Sequence, residues 1–267
     1  MGFRFLRLLF LILLAVVCAG IPVEAEEAEL SAEDLAAKLG ELFEDGDSAT
    51  RLRLKIQPAA GGEEIVLQIQ VKARRTAERT EVVYQVLWPK DRKGQAFLIQ
   101  RDRGSAPKGV AYSPPKTITT LTKARMKDSL LGSDLAYQDV VENFFSWEKH
   151  SLTGKETLDR VECIILESKP GAKDSTLYSK VRSWIDPDKL VVRRVEKYDA
   201  SGKLARKIDT ARVARDDSKR YIPASLVIRR PDGSTVTEIE GSNIRHDVKF
   251  KDKDFTTSAL NDFRIPR

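Results

Sequence analysis

The residues of this chain that could carry out catalysis are few and widely spaced. Its two histidines, His150 and His246, are far apart in sequence, and neither has a partner at a spacing typical of a metal site. No Gly-x-Ser-x-Gly elbow is present, and Gly61-Gly62 is typical of a hairpin turn rather than of a phosphate-binding loop. Asp186 and Asp188 flank a proline, as in an ordinary turn. We therefore predict that the protein is not an enzyme and has no catalytic residues, metal site or cofactor.

The N-terminus has the three parts of an export signal. Arg4 and Arg7 are followed by an apolar run over residues 8–17, and small residues at Val23 and Ala25 occupy the positions that a signal peptidase reads. The run is shorter than the roughly 20 apolar residues that a membrane-spanning helix needs. We predict a cleaved signal peptide over residues 1–25 and one mature domain over residues 26–267.

Cysteine usage indicates a core without a disulfide. We expect no acylation at Cys18, because Val17 stands where a lipoprotein signal has a small residue. The mature chain then holds only Cys163, which lies in the apolar stretch 161–166 and is typical of a buried, unreactive thiol. A single thiol cannot form an internal disulfide, so the hydrophobic core must stabilise the fold.

The chain is basic, but its charge is dispersed. Its 46 Lys and Arg residues exceed its 40 Asp and Glu residues, and loss of Arg4, Arg7 and Glu24 with the signal changes this balance to 44 against 39, a net charge of +5. Basic residues alternate with apolar ones instead of clustering with aromatic residues, which argues against a nucleic-acid partner. The excess is compatible with attraction to anionic lipid headgroups.

Most of the chain alternates between apolar and polar residues, which is the pattern of half-buried β-strands. Residues 50–57 place apolar side chains on one face and basic ones on the other, and residues 65–72 repeat this with Gln68, Gln70 and Lys72 on the face assigned to solvent. About eleven such strands follow one another, with two short edge-like pieces at 112–115 and 116–120. Short turns join them, which predicts an antiparallel meander. The last strand is predicted over residues 235–248, and residues 261–267 are predicted to fray.

Two passages depart from the strand pattern. Ser31 is a good N-cap for a helix whose buried stripe begins at Leu35 and Leu39. Residues 126–147 predict a pair of short helices, the first ending at Gly132, that plug the space between two runs of strands. The apolar residues that we assign to this plug or lid are Leu130, Leu131, Leu135, Val140, Val141 and Phe144.

A sheet of this size with one apolar face must curl into a barrel or fold into a sandwich. A membrane-embedded barrel is disfavoured, because 32% of the residues are charged and the aromatic residues form no paired girdles. The interior is either filled by side chains or partly open for a lipid. The inward residues are mostly Val, Ile and Leu with few large aromatic side chains, which favours the second alternative. The predicted cavity wall consists of Leu52, Leu54, Ile56, Ile65, Leu67, Ile69, Val82, Tyr84 and Val86.

Several short motifs, in this order, resemble the outer-membrane lipoprotein-sorting (LolA-like) family. They occupy residues 131–135 and 137–140 in the plug, and residues 184–186, 192–196, 198–199 and 202–204 in a later hairpin. The order of export signal, N-terminal helix, meander, helical insert and second meander is also similar. One departure is Ala136, which cannot cap the second insert helix with its side chain as a hydroxyl residue would.

The resemblance implies a mainly β, α+β fold: an unclosed antiparallel β-barrel with short helices packed in its mouth. It further implies a monomeric periplasmic protein whose partners are lipid or lipoprotein acyl chains, an inner-membrane transporter and an outer-membrane acceptor. Two alternatives stay open at this point. One is a sensor that recognises mislocalised lipoproteins with the same cavity, and the other is a fully packed exported domain that serves as an envelope assembly module.

The export signal leads to a first testable prediction. Because cleavage is expected after Ala25, the intact mass of the exported protein should correspond to a chain that begins at Glu26, without lipid on Cys18. A mass that includes a diacylglyceryl group on Cys18 would contradict this prediction.

Overall fold

Thirteen antiparallel strands form one sheet in the part of the chain that the computed structural model describes, residues 30–241 and 243–265. The predicted signal peptide lies outside these residues. The strands are β1 (Gly46–Pro58), β2 (Ile65–Arg75), β3 (Arg79–Trp88), β4 (Ala96–Asp102), β5 (Lys108–Ser113), β6 (Thr117–Leu121), β7 (Lys149–Leu158), β8 (Val161–Lys169), β9 (Tyr178–Asp186), β10 (Val191–Asp199), β11 (Leu204–Arg215), β12 (Tyr221–Arg229) and β13 (Thr235–Glu240). The predicted fold class is confirmed, and the two edge-like pieces are the full strands β5 and β6.

The order of the strands shows how the sheet stays unclosed. It runs β6-β5-β4-β3-β2-β1-β13-β12-β11-β10-β9-β8-β7, so that β1 pairs with β13 near the middle and β6 and β7 form the two edges. The chain therefore builds one half of the sheet, crosses from the β6 edge to the β7 edge through residues 122–148, and builds the other half on its return.

One face of this sheet is continuous across its middle. Ile56 lies opposite Thr237 of β13, which lies opposite Ile228 of β12, and the row continues through Ile208 of β11 to Val195 of β10. Directly opposed residues in antiparallel strands share a face. Side chains of this face from both halves of the sheet contact the crossing segment, so it is the inner, concave face, and we call the opposite one the outer face.

The N-terminal helix α1 (Ala32–Phe43) forms as the sequence predicts. The Ser31 hydroxyl accepts a hydrogen bond from the backbone N–H of Asp34 at 3.0 Å, which satisfies one of the free donors at the start of the helix. Leu35 and Leu39 are buried, and Gly40 brings the helix backbone against Phe145 of the crossing segment. The helix thus packs on the end of the plug.

The plug contains less helix than predicted. Instead of two amphipathic helices it has three short 3₁₀ turns, at Lys123–Lys127, Tyr137–Val140 and Phe144–Ser146. Leu131 and Gly132 have positive φ angles of 55° and 89°, and the Leu130 N–H donates to the Leu135 carbonyl at 2.8 Å across a closed loop. These two residues in the left-handed conformation interrupt the segment. The stretches on either side of them are too short for an α-helix to propagate.

The C-terminal region corrects two further predictions. The last strand ends at Glu240 rather than at residue 248, and residues 243–265 cross the outer face of the sheet. Gln70, Lys72 and Gln85, which point to that face, are at most 2% exposed rather than solvated. Their side chains donate hydrogen bonds to the backbone carbonyls of Leu260, Asp262 and Phe263. The predicted fraying is therefore wrong for residues 261–265.

These bonds lead to a second prediction. Gln85→Leu should lower the free energy of unfolding by about 1–3 kcal/mol, because it leaves the carbonyls of Leu260 and Asp262 buried without this donor. Urea denaturation followed by tryptophan fluorescence measures the change. Gln57→Leu, at an exposed position of β1, is the matched control and should have little effect. Equal stability of the two variants would show that the C-terminal segment does not depend on these bonds.

Candidate functional site

The structure brings eight of the nine predicted wall residues together on the inner face of β1, β2 and β3. Six of them are at most 2% exposed and form one cluster, namely Leu54, Ile56, Leu67, Ile69, Val82 and Val86. Leu52 and Tyr84 are partly buried against this cluster, whereas Ile65 at the start of β2 is 40% exposed. The wall is thus a contiguous apolar surface, and its binding of lipid stays a prediction.

The plug covers this surface. Leu130 and Val141 are buried within the same cluster, and Leu131, Leu135 and Val140 pack against it. Phe144 instead belongs to a second cluster, which also contains Trp147, Tyr178, Val181 and Val195. Sequence reasoning missed Met126, which is 1% exposed at the centre of the first cluster, and Tyr137, whose ring lies edge-on to Phe97 at 5.5 Å.

Asp139 anchors the plug to the second half of the sheet. Its Oδ1 accepts hydrogen bonds from Lys197 Nζ at 2.7 Å and from the Tyr178 hydroxyl at 2.6 Å, and its Oδ2 lies 3.2 Å from Arg206 Nε. Oδ2 also accepts from the Ala136 N–H at 2.7 Å, so this acid caps the turn that Ala136 cannot cap. Burial alone would raise the pKa of Asp139, but the charges of Lys197 and Arg206 outweigh it and hold the pKa below its usual range.

Asp134 provides a second anchor at the β12–β13 hairpin. Its fully buried carboxylate accepts hydrogen bonds from Thr235 Oγ1 at 2.6 Å and Thr237 Oγ1 at 2.8 Å, and from Arg230 Nε at 3.0 Å. Its backbone carbonyl accepts from Arg206 at 2.7 Å, so the two anchors share one guanidinium. The plug is therefore fixed to the sheet by charged contacts on β10, β11, β13 and the end of β12.

Glu142 is also buried, but its environment differs from that of Asp139. It lies 3.2 Å from Arg101 of β4 and accepts hydrogen bonds from Gln138 at 3.2 Å. Burial outweighs the nearby charges of Lys197 and Arg101 and raises the pKa of this carboxyl group. The environment thus favours the charged form of Asp139 and disfavours that of Glu142, although the two acids are neighbours in one segment.

A groove of about 390 Å³ opens to solvent beside the plug. Val141, which belongs to the apolar cluster, lines it together with Asn143 and Ser146. Its other lining residues come mainly from the β2–β3 and β4–β5 turns and are predominantly charged. The groove therefore leads from solvent to the edge of the apolar core.

The histidines and the cysteine form structural contacts. His246 lies between Asp217 at 2.6 Å and Asp45 at 3.1 Å, and together with Asp216 these groups come closer than their sequence spacing suggests. Arg220 lies 2.9 Å from both His246 Nε2 and Asp216, and its positive charge opposes binding of a metal ion there.

His150 and Cys163 make their contacts within the fold. His150 lies 3.0 Å from Ser168 Oγ and 2.9 Å from the Trp147 carbonyl, which fixes both ring nitrogens. Cys163 is fully buried, as predicted, and burial raises the pKa of its thiol, which disfavours the reactive thiolate. Among the described residues, no helix is long and apolar enough to span a membrane.

Comparison with known proteins identifies the fold. A protein-family profile with the description "Uncharacterized protein" matches residues 77–262, more than half of the chain. The chain belongs to this family. A solved DUF1329 family protein from Desulfovibrio piger is similar at 24% identity and a TM-score of 0.78, with 86% of this chain and 97% of that chain covered.

Two further solved structures are similar to this chain. A putative outer membrane lipoprotein-sorting protein domain from Vibrio parahaemolyticus matches at 20% identity and a TM-score of 0.76, covering 86% of this chain and 98% of that one. A LolA superfamily protein from Nitrosomonas europaea matches at 18% identity and a TM-score of 0.68, covering 86% and 99%. This chain has a LolA-like fold. The resemblance predicted from the sequence is confirmed at the level of the fold, and no curated protein matches the chain.

The two buried carboxylates of this LolA-like fold lead to a third prediction. Asp139→Asn should lower the free energy of unfolding by about 3–5 kcal/mol, because it leaves Lys197 and Arg206 buried without their counter-charge. Glu142→Gln should cost less, because burial raises the pKa of Glu142, so the folded state stabilises its charged form less than that of Asp139. Thermal or urea denaturation of both variants at pH 7 compares them. A larger loss for Glu142→Gln than for Asp139→Asn would contradict the assignment of Asp139 as the main anchor.

Proposed function

We propose that this protein is an exported, periplasmic carrier that holds the acyl chains of a lipid or lipoprotein against the inner face of its half-barrel. In this function it receives its cargo from an inner-membrane transporter and delivers it to an outer-membrane acceptor. No catalytic step is part of the proposal. The similarity to a lipoprotein-sorting domain and to a LolA superfamily protein supports the choice of cargo.

The observation that carries the proposal is that the plug makes apolar contacts with one half of the sheet and charged contacts with the other. Towards β1–β3 it contacts the wall through apolar side chains such as Met126 and Leu130. Towards β10–β13 it is held by the carboxylates of Asp134 and Asp139. An acyl chain can therefore replace the apolar contacts of the plug without breaking any strand pairing of the sheet.

The energy available from such a replacement is sufficient. Burying an acyl chain of about 14 methylenes is worth about 11 kcal/mol before the costs of association, at about 0.8 kcal/mol for each methylene. Displacing the plug reduces this figure, because its own apolar side chains leave the wall. The strength of the polar anchors then determines how readily the site opens, and weaker anchors should favour binding.

Arg230 offers a direct test, because it contacts Asp134 from just beyond the end of β12 and its side chain is 31% exposed. Arg230→Gln should weaken this anchor by about 1 kcal/mol and so tighten the binding of cis-parinaric acid, a fluorescent fatty acid, about fivefold. Arg229→Gln is the matched control. Arg229 is the preceding residue, is exposed, and pairs with Asp209 at 3.4 Å instead of with the plug.

Hydrogen exchange completes the test. In Arg230→Gln, residues 126–147 should exchange faster than in the unsubstituted protein, while residues 65–71 of β2 should stay protected. Fatty acid should alter exchange in residues 126–147 of both proteins. If the unsubstituted protein binds no fatty acid and carries no lipid by mass spectrometry, and Arg230→Gln behaves like Arg229→Gln, the interior is a permanently packed core and the carrier function is refuted.

A further inference from the structure

A second cavity lies where β1 and β13 separate, with its arginines on the outer face of the sheet. Its volume is about 730 Å³, and it is bounded by β1, the end of β13, β11 and the C-terminal segment. We call it the arginine groove. Its lining residues are Ala49, Thr50, Arg51, Leu52, Arg53, Gln68, Leu87, Arg212, Glu240, Gly241, Asn243, Arg245 and Ile265.

The groove exists because the pairing of β1 with β13 is interrupted. The ladder ends where Arg53 lies opposite Glu240, and it resumes only at the isolated bridge between Ala49 and Arg245. Between these points the chain passes close to β1 at Gly241, where a Cβ atom would lie 2.5 Å from the Leu52 side chain. Glycine allows this approach without displacement of the Leu52 side chain, so the sequence favours the interruption here.

Arginine residues from separate strands line the groove. Arg53, Glu240, Ser225 and Arg212 lie opposite one another in one row across β1, β13, β12 and β11, on the outer face. Arg51 lies on the same face, two residues before Arg53. Arg53 and Arg212 are three inter-strand spacings apart, about 14 Å at about 4.8 Å each, so both side chains must extend along the row to reach a common point between them.

Most of this charge is not neutralised by the groove itself. Arg53 is 3.9 Å from Glu240, a long and exposed contact, and Arg245 is paired with Asp247 at 2.9 Å. Among the described residues, Arg51 and Arg212 form no ion pair within 4.0 Å. Two of the four guanidinium groups in the lining, those of Arg51 and Arg212, thus have no carboxylate partner among the described residues.

We propose that the arginine groove binds a phosphoryl group, either of a phospholipid headgroup or of free phosphate. Guanidinium groups match the oxygens of a phosphoryl group with paired hydrogen bonds, and arginine is the preferred residue for such recognition. Leu52, Leu87 and Ile265 add an apolar border on which the glycerol and first methylenes of a lipid can lie.

The arginines of this site lie on the opposite face from the plug, and Leu52 is the one lining residue that also belongs to the predicted acyl wall. A phosphoryl ligand accounts for the several arginines beside the interrupted ladder, because Glu240, the one carboxylate in the lining, can pair with only one of them. The groove has no aromatic residue in its lining, which distinguishes it from a site for single-stranded nucleic acid.

Isothermal titration of the purified protein with inorganic phosphate, and with dihexanoylphosphatidic acid below its micellar concentration, tests the proposal. The double substitution Arg51→Gln/Arg212→Gln should weaken binding of both probes at least about tenfold. Lys38→Gln/Lys123→Gln removes the same charge from exposed positions on α1 and at the plug's first turn, and should leave binding unchanged. Glu240→Gln should tighten binding, because it removes the carboxylate that opposes the anion.

The two probes distinguish the sources of the phosphoryl group. Equal affinity for both indicates free phosphate, whereas tighter binding of the lipid, with a loss confined to the lipid in Leu87→Ser, indicates a headgroup. Absence of binding by both probes would overturn the proposal. Equal losses in the two double variants, or competition by acetate as effective as that by phosphate, would likewise overturn it, because the effect would then be one of general charge.

Discussion

The burial of the plug carboxylates against cations of the sheet is the interaction on which the rest of this structure depends. Asp139 and Asp134 lie in a segment that connects the two edges of the sheet, and their partners Lys197, Arg206 and Arg230 belong to the half built last. A buried carboxylate without its partner is strongly destabilising. The second half of the sheet must therefore curl over the plug, which brings the apolar wall of the first half onto its other side.

This arrangement replaces strand pairing as the means of closing the barrel. β6 and β7 are edges and do not pair with each other, so no ladder of backbone hydrogen bonds closes the sheet into a barrel. Side-chain contacts with one crossing segment do so instead. In the proposed carrier function, these contacts are exchanged for contacts with a ligand while all twelve strand pairings persist.

The sheet is covered on both faces, and the two covers differ in chemistry. The plug places apolar side chains on the inner face of β1–β3. The C-terminal segment also packs apolar side chains on the outer face, and in addition it presents backbone carbonyls to Gln70, Lys72 and Gln85. The outer cover leaves the sheet uncovered where β1 and β13 separate at Gly241, and the arginine groove lies there. The two candidate binding surfaces therefore follow from what covers each face.

The sequence by itself determined the class of the fold, most strands, the N-terminal helix and the apolar wall. Alternation of apolar residues at Leu54, Ile56, Leu67 and Ile69 is a local pattern with a period of two, and burial of one face follows from it directly. Gly132 likewise indicated where the first part of the plug turns, because its conformational preference is local. The motifs around Asp139 indicated the LolA-like fold but not the role of that acid.

Only the tertiary structure decided which polar residues are buried. Lys72 reads as a solvated strand residue until the C-terminal segment, some 190 positions later, covers it. Asp139 and Lys197 are 58 positions apart, and nothing local to either residue predicts that they meet. The same holds for the arginine groove, whose members come from β1, β11 and the C-terminal segment. Ion pairs and polar contacts between distant segments leave no periodic trace in the sequence, because each partner is chosen by its neighbours in space.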